Sequence, residues 1–97
     1  MCFKLLQYNF FDTVITRPGL VNFDIYCNGW VIKNSGTTLV LIMGETLNPG
    51  ESKSIGGNYG EIFVGRLNVA FRTQTPAPAT IVNKATLTQK MYVNVKP

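Results

Sequence analysis

The fold of this chain is decided by residues 31–72, which read VIKNSGTTLVLIMGETLNPGESKSIGGNYGEIFVGRLNVAFR. Short apolar runs alternate here with turn-forming residues, a pattern typical of consecutive antiparallel strands. The Asn-Ser-Gly run at 34–36 predicts a short hairpin loop, because Asn and Gly tolerate positive φ. The Asn-Pro-Gly-Glu run at 48–51 predicts a type II turn, with Pro and then Gly at its central positions.

Further strands follow from alternation of apolar and polar residues on either side of this stretch. The glycine-dense run at 56–60 predicts a break between two strands. The apolar residues of the next strand share one parity: Phe63, Leu67, Val69 and Phe71. A second alternation predicts one strand over residues 21–27, with these residues inward: Val21, Phe23, Ile25 and Cys27. The Asn-Gly pair at 28–29 then predicts a tight turn or a bulge before Trp30, a residue interpreted as core rather than as a partner-binding anchor.

The two ends of the chain are less regular. Residues 12–16 predict a strand, and residues 1–9 predict an arm or a first strand. An apolar segment of this size, up to residue 11, is expected to fold onto its own sheet or to lie on a neighbouring subunit. Two prolines favour an extended connection over residues 75–79. The last strand alternates from residue 86 to residue 95, with Gln89 as the polar exception on its apolar parity.

These patterns predict one domain over residues 1–97, an all-β antiparallel β-sandwich of seven or eight short strands. Strand order does not follow from them, so an immunoglobulin-like order and a jelly-roll order both stay open.

Composition narrows the classes of partner. Charged residues make up 14% of the chain, against about 25% in typical soluble domains. This favours a surface partly covered by neighbours, or else a surface rich in Thr, Asn and Gly. The net charge of +4 is spread along the chain, which argues against direct contact with nucleic acid.

The cysteines and the apolar runs indicate the cellular compartment. No apolar run approaches the roughly 18 residues of a membrane span, and residues 1–6 do not resemble a signal sequence. We therefore expect no membrane span and a product of the cytoplasm, in which Cys2 and Cys27 are reduced.

No pattern predicts catalysis. The chain has no His and only five Asp and Glu residues, and these are scattered without metal-ligand spacing. The glycines after Ser54 lack the Lys-Ser/Thr pair of a phosphate-binding loop. We therefore expect no enzyme activity, no cofactor and no metal site. The predicted partner interface consists of Phe3, Leu5, Tyr8, Phe10, Phe11, Tyr59, Pro76 and Pro78.

Part of the sequence resembles a known family. An "NSGTT" segment at 34–38, "LNPGES" at 47–52, "SIGGN" at 54–58 and "EI" at 61–62 occur in this order. This set resembles small β-sandwich virion proteins of tailed bacteriophages of Bacteroidetes hosts, including crAss-like phages. The resemblance covers residues 31–72, somewhat under half of the chain.

The resemblance implies an auxiliary capsid protein of the decoration or cementing type, without catalysis. Such a protein would be assembled in the host cytoplasm into the virion, in many copies, on the major capsid protein or on other virion proteins. A head-fibre, neck or tail adaptor is the first alternative, and a carbohydrate- or nucleic-acid-binding β-module is the second.

Overall fold

The computed structural model describes residues 7–58 and 61–93, and over these residues it contains strands and no helix. The strands in chain order are β1 Gln7–Ile15, β2 Gly19–Asn22, β3 Cys27–Asn34, β4 Leu39–Ile42, β5 Glu45–Leu47, β6 Ser52–Gly56, β7 Arg66–Arg72 and β8 Ala85–Val93. The prediction of an all-β chain with seven or eight short strands is therefore confirmed.

The strands form two four-stranded antiparallel sheets. Sheet A has the order β1-β8-β3-β6, and sheet B has the order β2-β7-β4-β5. The chain behaves as one long hairpin rolled up on itself, because β1 pairs with β8, β2 with β7, β3 with β6 and β4 with β5. This order is that of a jelly roll, so the immunoglobulin-like alternative is wrong.

The core lies between the two sheets. Alternate residues of the central strands point into it, so Trp30 and Ile32 of β3 join Leu67 and Val69 of β7 in one buried cluster. Burial of these apolar side chains is the main force that holds the sheets together. The buried cluster consists of Ile15, Cys27, Trp30, Ile32, Val40, Ile42, Leu47, Leu67, Val69, Ala85 and Leu87. The prediction that Trp30 belongs to the core is confirmed.

The turn at 48–51 is confirmed. The Glu51 amide donates to the Asn48 carbonyl at 2.9 Å, and Gly50 has a φ of 88°, as a type II turn requires. A second tight turn was not predicted. It joins β4 to β5 through Met43 and Gly44, which both have positive φ.

The predicted hairpin at residues 34–36 is wrong. Strands β3 and β4 lie in different sheets, so the chain crosses the sandwich here. The loop instead bonds to the connection between β7 and β8. The Thr37 amide donates to the Val82 carbonyl at 2.8 Å, and the Ser35 amide donates to the Lys84 carbonyl at 3.1 Å.

The predicted continuous strand over residues 21–27 is also wrong. It breaks after Asn22, because the chain must cross from β2 in sheet B to β3 in sheet A. The Asp24 carboxylate accepts from the Tyr26 amide at 2.9 Å and thereby forms an Asx turn. Ile25, predicted to face inward, is 74% exposed.

Three remaining predictions concern the bulge and the outer strands. The bulge is confirmed, since the β3–β8 register shifts between Cys27 and Gly29. Residues 7–11 are not a free arm, because they form the first part of β1. The buried Gln89 is explained by its side-chain oxygen, which accepts from the Asp24 amide at 3.0 Å.

Candidate docking face

The outward face of sheet A carries several exposed apolar side chains. Residues opposite each other in neighbouring strands point to the same face, so the registers place Phe10 of β1 beside Lys90 of β8, and Val31 of β3 beside Thr88 of β8. Phe10 is 68% exposed, and Val14 and Val31 are also exposed. Several exposed apolar side chains on one sheet face are typical of a docking surface.

A groove runs across the middle of this face, with a cavity volume of about 120 Å³. We call it the sheet A groove. Its outward-facing side chains are Phe10, Val31, Ser54, Thr88 and Lys90, above the backbone of Gly29 and Gly56.

Two glycines set the depth of the sheet A groove. A Cβ atom at Gly29 would lie 2.7 Å from the backbone nitrogen of Gly57, and Gly56 has a φ of +81°. Side chains at these positions are therefore excluded by the close approach of β3 and β6. The floor of the groove is bare backbone, so a ligand atom can approach the sheet directly.

Charged groups flank Phe10 on the same face. The Lys90 ammonium lies 4.0 Å from the centre of the Tyr8 ring, a cation–π contact. The Tyr8 ring also packs on the Tyr92 ring at 4.9 Å between centroids. On the other side of Phe10 along β1, the Asp12 carboxylate accepts from the Thr88 hydroxyl at 2.6 Å. The face therefore combines exposed apolar side chains with one cation and one anion held in place.

The predicted interface residues do not form one surface. Tyr8 and Phe10 lie on the outward face of sheet A, whereas Phe11 points to the opposite side of β1 and is 46% exposed there. Pro76, which is exposed, and Pro78, which is half-buried, belong to the connection between β7 and β8. Phe3, Leu5 and Tyr59 lie outside the described residues.

Other residues of the face were missed from the sequence. Val31 lies between the buried Trp30 and Ile32, and strict alternation means that the middle residue of three apolar residues in a strand points the other way. The sequence around Val31 therefore already indicated that its side chain points away from the core. For Val14 and Lys90 no local signal existed, since their position depends on the pairing of β1 with β8.

A second exposed apolar patch lies on the loops that precede β3 and β7. Its members are Ile25, Tyr26, Ile62 and Val64. The two loops are joined, because the Phe63 amide donates to the Cys27 carbonyl at 2.6 Å. The Phe63 ring packs edge-on against Trp30 and Phe23 in the core, so the loop is anchored while its flanking side chains point outward.

The carboxylates of the chain all have structural partners. Each accepts a hydrogen bond or forms an ion pair: Asp12 with Thr88, Asp24 with Tyr26, Glu45 with Lys53, Glu51 with Asn48, and Glu61 with Asn58. Among residues 7–58 and 61–93, no three His, Cys, Asp or Glu side chains are grouped as a metal site would need.

Cys27 has the environment of a structural thiol. Its side chain is fully buried, and burial, with a smaller contribution from the nearby Asp24 carboxylate, raises the pKa of the thiol. Its sulfur donates to the Gly29 carbonyl at 3.3 Å. A thiol with a raised pKa is a poor nucleophile near neutral pH.

Within the described part of the chain, no helix is long and apolar enough to cross a membrane. No protein-family model, curated protein or solved structure shows a significant match to the chain.

Proposed function

We propose that this protein is a structural component of a virion that packs on other subunits through the outward face of sheet A. The specific role we propose is that of an auxiliary capsid protein on the major capsid subunits. The observation that carries the proposal is the exposed apolar side chains of this face: Phe10 and Val31 line the sheet A groove, and Val14 lies on the same face of β1.

The chemistry of this face fits a protein partner. Aromatic side chains in the middle of an interface contribute most of the binding energy, and water-excluding neighbours surround them. Phe10 would act as such an anchor, and the Lys90 and Asp12 charges beside it would fix orientation. Modest contacts suffice in a shell, since many copies on a regular lattice add their affinities.

The fold supports the proposal only by analogy. Jelly rolls occur in viral capsid proteins, and they also occur in lectins, so the architecture does not decide the function. The sequence resemblance at residues 31–72 favours the first class.

Mass spectrometry of purified virions tests the proposal. Hundreds of copies per particle would support a shell protein. A dozen copies or fewer would instead support the alternative of a neck or tail adaptor, because a closed ring contains few subunits. Absence of the protein from purified particles would overturn both.

Two matched variants test the surface. Val31→Lys places a charge in the sheet A groove, whereas Leu20→Lys places the same charge on the outward face of sheet B, where Leu20 is also exposed. We expect particles to lose the Val31→Lys protein and to retain the Leu20→Lys protein. Equal retention of both variants would exclude sheet A as the docking face. Circular dichroism confirms that both variants are folded.

A carbohydrate-binding module is the second candidate. The sheet A groove places the Phe10 ring near the Ser54 and Thr88 hydroxyls, and sugars bind through such a mixture of ring and hydroxyl contacts. Titration with a glycan panel tests this candidate: saturable binding that is lost in Phe10→Ala supports it. Binding to nucleic acid instead would weaken steeply with added salt.

A further inference from the structure

The floor of the sheet A groove belongs to one row of residues that crosses all four strands of the sheet. The strand registers place four residues opposite one another, in the order Phe10, Lys90, Gly29 and Gly56. Residues opposite each other in neighbouring strands share a face. The row therefore ends in two adjacent positions, Gly29 and Gly56, that have no side chain.

Side chains enclose this gap. Val31 of β3 and Ser54 of β6 lie opposite each other in the neighbouring row, and Phe10 and Lys90 line the groove from the side of β1 and β8. Since side chains are excluded at both glycine positions, no residue at these two places can fill the gap. The sheet A groove is therefore a fixed feature of the fold.

The size of the groove fits one ring. Its volume is about 120 Å³, and a protein cavity of roughly 150 Å³ is enough to bind benzene. The floor consists of two backbone strands about 4.8 Å apart, so a flat group can lie against it. Designed sheets cover glycines with aromatic rings in the same way. Size and shape therefore favour a single aromatic side chain as the occupant.

The charge beside the groove favours an acidic neighbour for that ring. The Lys90 ammonium lies 4.0 Å from the centre of the Tyr8 ring, and it forms no ion pair with a carboxylate of residues 7–58 and 61–93, including Asp12 on the same face. A cation without a counter-ion next to an apolar groove is complementary to a partner that carries a carboxylate there.

We propose that the sheet A groove takes one aromatic side chain of a partner protein, laid against the Gly29 and Gly56 backbone, with a carboxylate of the same partner segment beside Lys90. This inference rests on the proposed function in one respect, because that function makes the occupant a protein. The Phe10 ring then packs on the partner's ring, a contact that is favourable beyond its buried area.

A sugar ring has a similar size and fits this groove less well. The hydroxyls of a sugar need hydrogen-bond partners when they leave water. The Phe10 and Val31 side chains offer none, and the Thr88 hydroxyl already donates to the Asp12 carboxylate at 2.6 Å. Ser54 alone remains as a neutral partner on the walls, so the lining favours an aromatic ring.

NMR titration of the isotope-labelled full chain tests the class of ligand. The probes are phenylacetate and phenylacetamide, which share the ring and differ in charge, at constant ionic strength. We expect phenylacetate to shift the backbone amide signals of Gly29, Gly56 and Gly57 saturably, with a Kd of about 10 mM or lower. Phenylacetamide should bind about threefold more weakly, because it lacks the charge that pairs with Lys90.

Lys90→Gln isolates the charge. The two probes should bind this variant with equal Kd values, and a preference for phenylacetate that survives the substitution contradicts the position assigned to the carboxylate. Glucose is the probe for a sugar ring. No saturable shift at the three glycines, or saturation by glucose at a lower concentration than by phenylacetate, overturns the aromatic occupant.

Two matched variants test whether the probe occupies the groove. Ser52 and Ser54 are both exposed on β6 and share one face of sheet A, but only Ser54 lines the groove. Ser54→Leu fills the groove, so we expect the Kd of phenylacetate to rise at least about tenfold. Ser52→Leu should leave that Kd unchanged. Equal Kd values in the two variants overturn the proposal.

The same variants separate this inference from the proposed function. Loss of Ser54→Leu from purified particles, with retention of Ser52→Leu, supports both. Particles that lose Val31→Lys but retain Ser54→Leu keep sheet A as the docking face and overturn the aromatic occupant. The probe titration needs no other virion protein, so it decides the class of ligand even if the protein is absent from particles.

Discussion

The side-chain nitrogen of Asn34 donates a hydrogen bond of 2.9 Å to the backbone carbonyl oxygen of Leu47. The same nitrogen donates to the Thr38 carbonyl at 2.6 Å, and the side chain is fully buried. Asn34 ends β3 in sheet A and Leu47 ends β5 in sheet B. One amide therefore ties the two sheets together at this end of the sandwich.

Removal of this amide tests its role. Asn34→Ala leaves two buried carbonyl oxygens without their donor, so we expect the free energy of unfolding to fall by about 2–4 kcal/mol. Urea denaturation measures the change. Asn68→Ala is the matched control, because Asn68 is exposed on β7, and it should alter stability by less than about 0.5 kcal/mol. If both variants lost a similar amount of unfolding free energy, the hydrogen bonds of the Asn34 side chain would not account for the loss.

In the turn between β4 and β5, Met43 adopts a backbone conformation that its residue type disfavours. Met43 has a φ of 48° and precedes Gly44, so both central residues of this hairpin turn lie in the left-handed region. Asn and Gly suit such turns, whereas a longer side chain raises the free energy of the left-handed conformation. We expect Met43→Asn to raise the melting temperature, with a gain in unfolding free energy of about 1 kcal/mol.

Met43→Leu is the control for this substitution, because Leu and Met share the same backbone preference. It should leave the melting temperature within error. If the Asn and Leu variants melted together, the turn would carry no strain at this position.

Gly36 allows two loops to approach each other. A Cβ atom at this residue would lie 2.2 Å from the Val82 carbonyl oxygen, a group that also accepts from the Thr37 amide. Gly36→Ala must push the two loops apart, and we expect it to cost about 1–3 kcal/mol. Hydrogen exchange should show faster exchange at Thr37 and Val82.

Gly65→Ala provides the comparison for the loop test. A Cβ atom there would meet only the Phe63 ring, at an ordinary distance of 3.4 Å. A Gly36→Ala protein as stable as the Gly65→Ala protein would refute the close approach.

The buried thiol of Cys27 makes stability depend on pH. Burial raises the pKa of the folded thiol above its ordinary value of 9.0. Above that pH the unfolded chain loses a proton that the folded protein keeps, so the unfolded state binds fewer protons and stability falls as pH rises. The contribution is complete below pH 9.0 and is lost between that value and the higher folded pKa.

Comparison with Cys27→Ala isolates this effect. In a reduced Cys2→Ser background, we expect the difference in unfolding free energy between the parent and Cys27→Ala to shrink as the pH rises from 7 to 10, since only the parent carries the buried thiol. Urea denaturation at each pH supplies the values. A difference in unfolding free energy that stays constant with pH would contradict a raised pKa of the Cys27 thiol.

Several features of the fold followed from the sequence because they depend on local preferences. Alternation placed the strands, and Pro49 with Gly50 fixed the turn through their own φ preferences. Trp30 was assigned to the core because large apolar residues in a strand are buried on one face. The bulge near Asn28 was also visible, since the Asn-Gly pair interrupts the alternation.

The errors arose where alternation continued through a crossing between sheets. Residues 21–27 keep an unbroken period, and only the Asp24 side chain marks the turn there. The loop at 34–38 has the residues of a hairpin, yet several of its hydrogen bonds go to residues 80–84, more than 40 positions away in sequence. No local pattern encodes such a partner.

At the candidate docking face, too, local residue character was predictable and strand pairing was not. The apolar character of Tyr8 and Phe10 was evident in the sequence, and the structure places both on the outward face of sheet A. Their neighbours were not evident, because Val31 and Lys90 reach the same face only through the pairing of β1 and β3 with β8.

By itself the sequence determined that this chain forms short antiparallel strands, since inward and outward side chains alternate along the backbone and Gly and Pro end each run. Only the tertiary structure decided that the strands roll up in jelly-roll order and that β1 lies at the end of sheet A. The physical reason is that backbone hydrogen bonds are the same for every residue type except proline. The choice of neighbour therefore depends on how the whole set of strands buries its apolar faces at once.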